Sequence, residues 1–365
     1  MTTFDQSLKA RRSTFNFRPV SFRKWMAALG AVRNGDADAK IYCLGDSITR
    51  GSFSAATSAQ ALNGWPVQLA KLLSARNLVP AVSENIFGAG GASLTLSSFD
   101  SRITLGTGWA PTTVNSLGGR TLNGTGTGTL SFTPVSNCNT FDIYSIRNVA
   151  GGFTVNLDGG STLATVNTSG AKAVIKTTVT GTLAAHTLNI VQTSGNIFII
   201  GIDCYDSTGK KVRVLNGGWS SATSTSHTSS QSNAYDPLPA LSAIAPNLSI
   251  ICLSPNDWNN ATDLAAFSAA MQTIITTCLT YGDVLLMSPP PSNIALTALA
   301  TQQAYVDAMQ ALAVSNGIPF LDLFGRWGSY EIMNPLSFYG DSVHPAGRAY
   351  ADIASLIART IMTDM

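Results

Sequence analysis

Hydrophobic and polar positions follow two different rhythms along this chain. Toward both ends, unbroken apolar runs alternate with stretches of helical periodicity. AKIYCLG (39–45) reads as a buried strand, and GWPVQLAKLLSARN (64–77) as an amphipathic helix with Trp65, Leu69, Leu72 and Leu73 at helical spacing. After residue 245 the pattern resumes. NLSIICLS is a strand, DLAAFSAAMQTIITTC a helix, DVLLMSPPP a strand, TALATQQAYVDAMQALAVSNG a helix closed by Gly317, IPFLDLF a strand and AGRAYADIASLIARTIM the last helix. Strands alternating with helices predict an α/β fold whose parallel sheet is covered on both faces, since such strands are apolar on both sides.

Between residues 99 and 210 the rhythm changes. Short alternating runs such as TLSFTPV, FDIYSI, FTVNLDGG, HTLNIVQTSG and IFIIGIDCY recur between turn signals at intervals of roughly ten residues, the pattern of an antiparallel sandwich. The expected organisation is an extension over 1–36, a first α/β part over 37–98, an inserted β-sandwich over 99–210 and a second α/β part over 211–365. The GG, DGG and TSG units are read as hairpin turns, because no G-x-x-x-x-G-K-[ST] phosphate loop occurs.

Composition excludes several functions. A chain of 365 residues, 45% hydrophobic and 12% charged, can bury a sizeable core, and a net charge of +2 offers nucleic acid no electrostatic footprint. The basic stretch KARRSTFNFRPVSFRK (9–24) is expected to be a solvated arm. WMAALGAV is too short to cross a bilayer and carries no signal-peptide cleavage pattern, so a soluble protein is expected, cytoplasmic or associated with a virion tail. Five cysteines, an odd number, argue against a disulfide scaffold, with a Cys138–Cys204 pair as the one candidate bridge. No H-E-x-x-H motif and no Cys/His cluster at ligand spacing is present, so neither metal nor cofactor is expected.

Chemistry concentrates in YCLGDSITRG (42–51), where a buried strand runs into Gly-Asp-Ser. A serine needs a base within hydrogen-bond reach and a third group to orient that base. Of the three histidines, His186 falls in a sandwich strand and His227 in a Ser/Thr-rich loop, both read as structural or exposed. His344 stands in the turn-rich YGDSVHPAG, with Asp341 three residues before it. That spacing lets a tight turn bring the carboxylate to one ring nitrogen while the other faces a serine. Asn256, in LSIICLSPNDWNN, follows a buried strand at the sheet edge where Ser47 follows its own, so its amide can donate to a developing oxyanion. No G-x-S-x-G elbow occurs, which disfavours an α/β-hydrolase lipase.

Together these positions resemble the SGNH, or GDSL-type, hydrolase family. GDSITRG matches its first block, DSVHP its last, and SPND its third, usually Gly-x-Asn-Asp, with Ser254 in the glycine's place. The resemblance covers roughly 37–98 and 211–365. It implies a three-layer, flavodoxin-like α/β/α core, a triad of Ser47, Asp341 and His344, and an oxyanion hole using the Ser47 N–H and the Asn256 amide. Two segments compete for the second block, which should add a backbone N–H. ENIFGAGGAS offers Gly90 or Gly91, and VRVLNGGWSSATS offers Ser221, the favoured choice because the helix-then-strand DPLPALSAIAPNLSIICL that follows is what should link the second and third blocks without an insertion. The middle segment resembles the jelly-roll, carbohydrate-binding-like modules of carbohydrate esterases and phage-tail SGNH proteins. The expected activity is therefore that of a serine esterase, first of all a deacetylase of an O-acetylated polysaccharide. The alternatives are a glycan-binding adhesin with a vestigial hydrolase core, or a lipase or thioesterase of the same family.

Overall fold

The computed structural model describes residues 14–18, 20–91, 95–148, 150–293 and 297–362. Seven strands form one sheet, in the spatial order Thr14–Phe15, Phe320–Leu321, Asp283–Met287, Leu248–Cys252, Ala39–Gly45, Val212–Gly218 and Ala81–Val82. Every neighbouring pair is parallel except the first. Leaving out the two-residue strands at its edges, the sheet runs 2-1-3-4-5 in chain order, the doubly wound arrangement in which ligands bind where the strand order reverses.

The apolar runs explain how this sheet is buried. Ile41 and Cys43 share one core with the helices Arg23–Asn34, Trp65–Ala75 and Gly347–Ile361, while Tyr42 and Leu44 share another with Leu264–Tyr281 and Leu299–Asn316. Successive residues of one strand thus feed opposite faces, as the two-residue period requires. Leu264–Tyr281 is by length and composition apolar enough to cross a membrane, yet Phe267, Met271, Ile274, Ile275 and Cys278 are fully buried against the sheet. It is a core helix of this fold.

The remaining strands form two antiparallel sheets. One has five strands, in the order Ala164–Asn167, Gly151–Leu157, Leu188–Gly195, Thr129–Phe132 and Ile103–Leu105. The other has Ala173–Ala184, Cys138–Arg147, Ile197–Tyr205, Gly119–Gly124 and Trp109–Ser116, with Glu84–Phe87 paired to Ile197–Tyr205. Phe132, Phe153 and Ile190 of the first meet Phe141, Ile143 and Ile202 of the second in a separate core. The other face of the second sheet sends Tyr144, Ile146 and Ile200 into the core that holds Tyr42 and Leu215. The antiparallel part therefore has its own interior and also closes one interior of the parallel sheet.

Three features differ from the pattern reading. The basic N-terminal stretch is not wholly a solvated arm. Thr14–Phe15 adds an edge strand to Phe320–Leu321, and Phe22 and Trp25 are buried, because aromatic residues interleave the basic ones. Glu84–Phe87, read as part of the α/β core, belongs to the antiparallel sheet. The chain turns away at Ser83, whose hydroxyl still donates to the Val214 carbonyl. All five cysteines are free and buried, so the Cys138–Cys204 bridge does not form.

Candidate active site

Ser47 opens a single helical turn, Ser47–Arg50, directly beyond the central strand Ala39–Gly45. Asp46 caps that turn, its Oδ1 accepting the Ile48 N–H at 2.8 Å, so the carboxylate of the Gly-Asp-Ser motif shapes the turn. Burial pushes the Asp46 carboxyl up to about 7. As the first helical residue, Ser47 has an N–H with no intrahelical partner, and none of the described residues accepts it.

His344 lies beside it, 297 residues away in sequence. Its Nε2 is 2.8 Å from Ser47 Oγ and its Nδ1 2.8 Å from Asp341 Oδ2. The second Asp341 oxygen accepts the backbone N–H groups of Val343 (2.8 Å) and His344 (2.6 Å). Partial burial pushes the Asp341 carboxyl up, but the imidazole and backbone hydrogen bonds outweigh it and hold the group below the ordinary carboxylate range, hence ionised at neutral pH. The turn is anchored at both ends, by Gly340 N–H to the His344 carbonyl (2.8 Å) and Ala346 N–H to the Phe338 carbonyl (2.7 Å). Tyr350 of the last helix donates to the Ser52 carbonyl at 2.7 Å and ties that helix to the serine loop. An imidazole placed between a hydroxyl and a carboxylate can take the hydroxyl proton while its other N–H stays bonded.

The two other predicted segments meet at the same sheet edge. Trp219 N–H donates to the Gly45 carbonyl at 2.9 Å, carrying the strand Val212–Gly218 into a loop beside the Gly-Asp-Ser turn. Ser221 in that loop is exposed, and its N–H has no partner among the described residues. Its φ of 64° is left-handed, a conformation serine tolerates at a cost and glycine adopts freely. Asn256 Nδ2 donates to the Ala222 carbonyl at 2.9 Å, which orients the amide and leaves its second N–H free. Asp257 grips the same loop through the Ser224 N–H and hydroxyl, the latter at 2.8 Å. Ser254, where the family usually has glycine, keeps a glycine-like φ of 130°. Gly91 sits behind this loop, since a Cβ there would lie 2.6 Å from the Ser220 carbonyl oxygen. Gly90 bridges to Gly119.

Some participants carried no pattern signal. Phe53, itself at φ 62° and 45% exposed, stacks on the His344 ring at 5.0 Å and 15°. His227 is not in an open loop; it is buried in the short helix Ser224–Thr228, edge-on to Trp219, with its Nε2 buried and without a hydrogen-bond partner among the described residues. Burial holds its imidazole down at about 4, so it is neutral and structural. His186 pairs with Asp158 at 2.6 Å, in the antiparallel part. Asp257 was within sight, as the neighbour of Asn256 in SPND, whereas nothing in the periodicity marks Phe53 or His227.

Comparison with known proteins follows this geometry. The family model described as GDSL-like lipase/acylhydrolase matches residues 203–351, a stretch that contains Ser221, Asn256, Asp341 and His344. The match starts beyond Ser47, which the intervening antiparallel strands separate from the rest of the parallel sheet. A search of curated proteins returns no match. Among solved structures, a peptidoglycan O-acetylesterase superposes with a TM-score of 0.73 at 18% identity, over 97% of this chain and 100% of its own. An acetylxylan esterase from Geobacillus stearothermophilus is 19% identical over 42% of this chain and 73% of its own, with a TM-score of 0.34. The family match over the second α/β part supports an esterase of the GDSL-like, or SGNH, kind, and the likeness in fold to the O-acetylesterase extends over nearly the whole length.

Proposed function

We propose that the chain is a carbohydrate O-acetylesterase working through Ser47, His344 and Asp341. The observation that carries this reading is the His344 ring, bonded at 2.8 Å to Ser47 Oγ on one side and to Asp341 on the other. Ser47 Oγ attacks the acetyl carbonyl as its proton passes to His344 Nε2. The carbonyl oxygen, now negative, is met by the N–H groups of Ser47 and Ser221 and by the free N–H of Asn256, donors that stabilise the developing charge. The imidazolium is stabilised by ionised Asp341 and returns the proton to the departing sugar oxygen, leaving an acetyl-serine. Water, deprotonated by the same imidazole, then releases acetate and regenerates Ser47.

Ser221 is preferred to Gly91 for the second backbone donor because the residue is exposed and its N–H has no partner among the described residues, whereas Gly91 is packed behind Ser220. Sugar-borne acetate is preferred to a long acyl chain because the cavities flanking Ser221 are lined mainly by hydroxyl, amide and charged side chains. The similarity in fold to a peptidoglycan O-acetylesterase supports the same substrate class. The test is acetate release from a panel of O-acetylated glycans, run beside 4-nitrophenyl acetate and 4-nitrophenyl palmitate. Release from at least one glycan, with the acetate ester preferred to the palmitate, is expected. Preference for palmitate with no glycan deacetylated would make the chain a lipase instead.

A further inference from the structure

Beside the Ser221 loop lies a polar groove that spans the joint between the parallel and antiparallel parts. It consists of two adjoining cavities of about 280 and 240 Å³, which share Thr113, Asn115 and Ser226. One wall is the strand Trp109–Ser116 with Arg120 from the next strand, and the other is the loop from Trp219 to Pro237. Trp219 lies directly on the turn between those strands. Gly119 there has φ 94°, and a Cβ on it would come within 2.5 Å of the indole. Both parts of the chain are needed to form this groove.

Its charges are uneven. Arg120 lines the cavity that contains Ser220 and Ser221, and its side chain makes no ion pair or hydrogen bond with any described residue. The one acid lining either cavity, Asp236, is buried and already accepts from Ser230 Oγ (2.7 Å), Asn233 N–H (2.8 Å) and Asn233 Nδ2 (3.2 Å). Lys172, at the far end, is bonded to Asn233 Oδ1 at 2.8 Å. The buried arginines are all engaged by the protein, unlike half-buried Arg120. Arg102 is paired with Glu84 and Asp100, Arg213 with Asp142 and Asp203, and Arg50 donates to the Gly218 and Gly88 carbonyls and covers the Phe99 ring. A guanidinium without a carboxylate partner, among hydroxyl and amide groups and next to a donor for the oxyanion, is suited to a carboxylate brought by the ligand, which it can hold by two parallel hydrogen bonds.

We propose that this groove binds the glycan whose ester is cleaved, and that Arg120 selects a chain carrying a carboxylate, such as a uronic acid, beside the acetylated sugar. The proposal rests on the esterase reading above and adds the charge of the substrate to it. The experiment compares an O-acetylated oligo-uronide with the same oligosaccharide after its carboxyls have been reduced to alcohols. For the wild-type chain, the ratio of kcat/KM for the acidic over the reduced form is expected at about 10 to 100, the range of one charge-assisted contact. In Arg120→Gln the ratio should fall close to 1, and in Arg120→Lys it should be intermediate, since lysine keeps the charge but loses the fork. A wild-type ratio near 1, or one that survives Arg120→Gln, overturns the proposal. Calorimetric binding of the two oligosaccharides, both deacetylated, to Ser47→Ala reads the same preference without catalysis. A binding preference that depends on Arg120, in a wild-type chain that hydrolyses neither ester, would sustain the groove and overturn the esterase reading instead.

Discussion

The crest of the parallel sheet and the face where the antiparallel sheet meets it both bury polar groups, but they satisfy them in opposite ways. At the sheet–sheet face, Arg213 lies 3.2 Å from Asp203 and 3.4 Å from Asp142, covers the Tyr205 ring at 4.1 Å, and is almost wholly buried with both acids. Thr178 also donates to Asp142 at 2.6 Å, so the charges there are met by opposite charge and hydroxyl, with Asp203 and Arg213 Nε paired by proximity and not by a hydrogen bond. At the crest, the N–H groups of Ser47 and Ser221 have no partner among the described residues, the Asn256 amide has an N–H to spare, and Phe53, Ser221 and Ser254 hold left-handed backbone. Donors left open and backbone held in costly conformations are what a site for a transient anion needs. The same features would be defects in a purely structural interface, where each unpaired group is a loss.

The contrast can be broken by substitution on either side. The largest effect is expected at the interface. Arg213→Met leaves two buried carboxylates without their main partner and should lower stability by about 3–5 kcal/mol in chemical denaturation, with kcat on 4-nitrophenyl acetate unchanged for the folded fraction. A matching loss of kcat would mean that the interface is part of the chemistry. At the crest the balance should reverse. Asn256→Ala removes one oxyanion donor and should lower kcat by a factor of about 10² to 10³ while the melting temperature moves little. Unchanged kcat would take Asn256 out of the oxyanion hole.

Acid should sharpen the comparison through His227. Its imidazole is held down at about 4 by burial, against about 6.5 when unfolded. Below 6.5 the unfolded chain takes up a proton that the folded chain resists, so this contribution is intact above 6.5 and is lost progressively as pH falls toward 4. Relative to His227→Phe, the wild type should therefore lose about 2 kcal/mol between pH 7.5 and pH 5. Measuring both proteins at both values cancels the opposite trend of Asp46, whose raised carboxyl favours the folded state in acid. A gap that does not move with pH would mean that His227 is solvated. The smallest effect concerns the backbone. Ser254→Gly, at φ 130° and with a buried, unpartnered hydroxyl, should stabilise by about 1 kcal/mol, and Ser221→Gly should keep full activity. Destabilisation by Ser254→Gly would mean that its hydroxyl is bonded after all. Proline at 221 is a poorer probe, because its fixed φ excludes the left-handed region as well as removing the donor.

The two parts also differ in how much the linear pattern discloses. The parallel strands are apolar on both faces and six to eight residues long as runs, so AKIYCLG and NLSIICLS stand out, and the motifs at their ends fall on the crest by simple geometry. Asp341 and His344 are legible for the same reason, since three residues of turn suffice to join them. The antiparallel part shows its period but not its partners. Glu84–Phe87 reads equally well as a strand of either sheet, and only the pairing of Ile86 with Ile202 decides between them. Phe53 and Arg120 are illegible because the first acts through His344, almost three hundred residues away, and the second through a partner it lacks, while the burial of His227 under Trp219 follows from a fold that a Ser/Thr-rich stretch does not disclose. The interleaved aromatics at Phe15, Phe17 and Phe22 were a legible sign that the basic stretch packs, outweighed in the pattern reading by its charges.

The central claim is that Ser47 is the nucleophile that His344 and Asp341 activate. The most direct measurement is acetate release from 4-nitrophenyl acetate by the wild type and by Ser47→Ala, with the melting temperature of each recorded. Ser47 makes one side-chain hydrogen bond, so the variant should melt within a few degrees of the wild type while kcat falls by at least about 10³. A well-folded Ser47→Ala that keeps a sizeable share of wild-type turnover would contradict the claim outright.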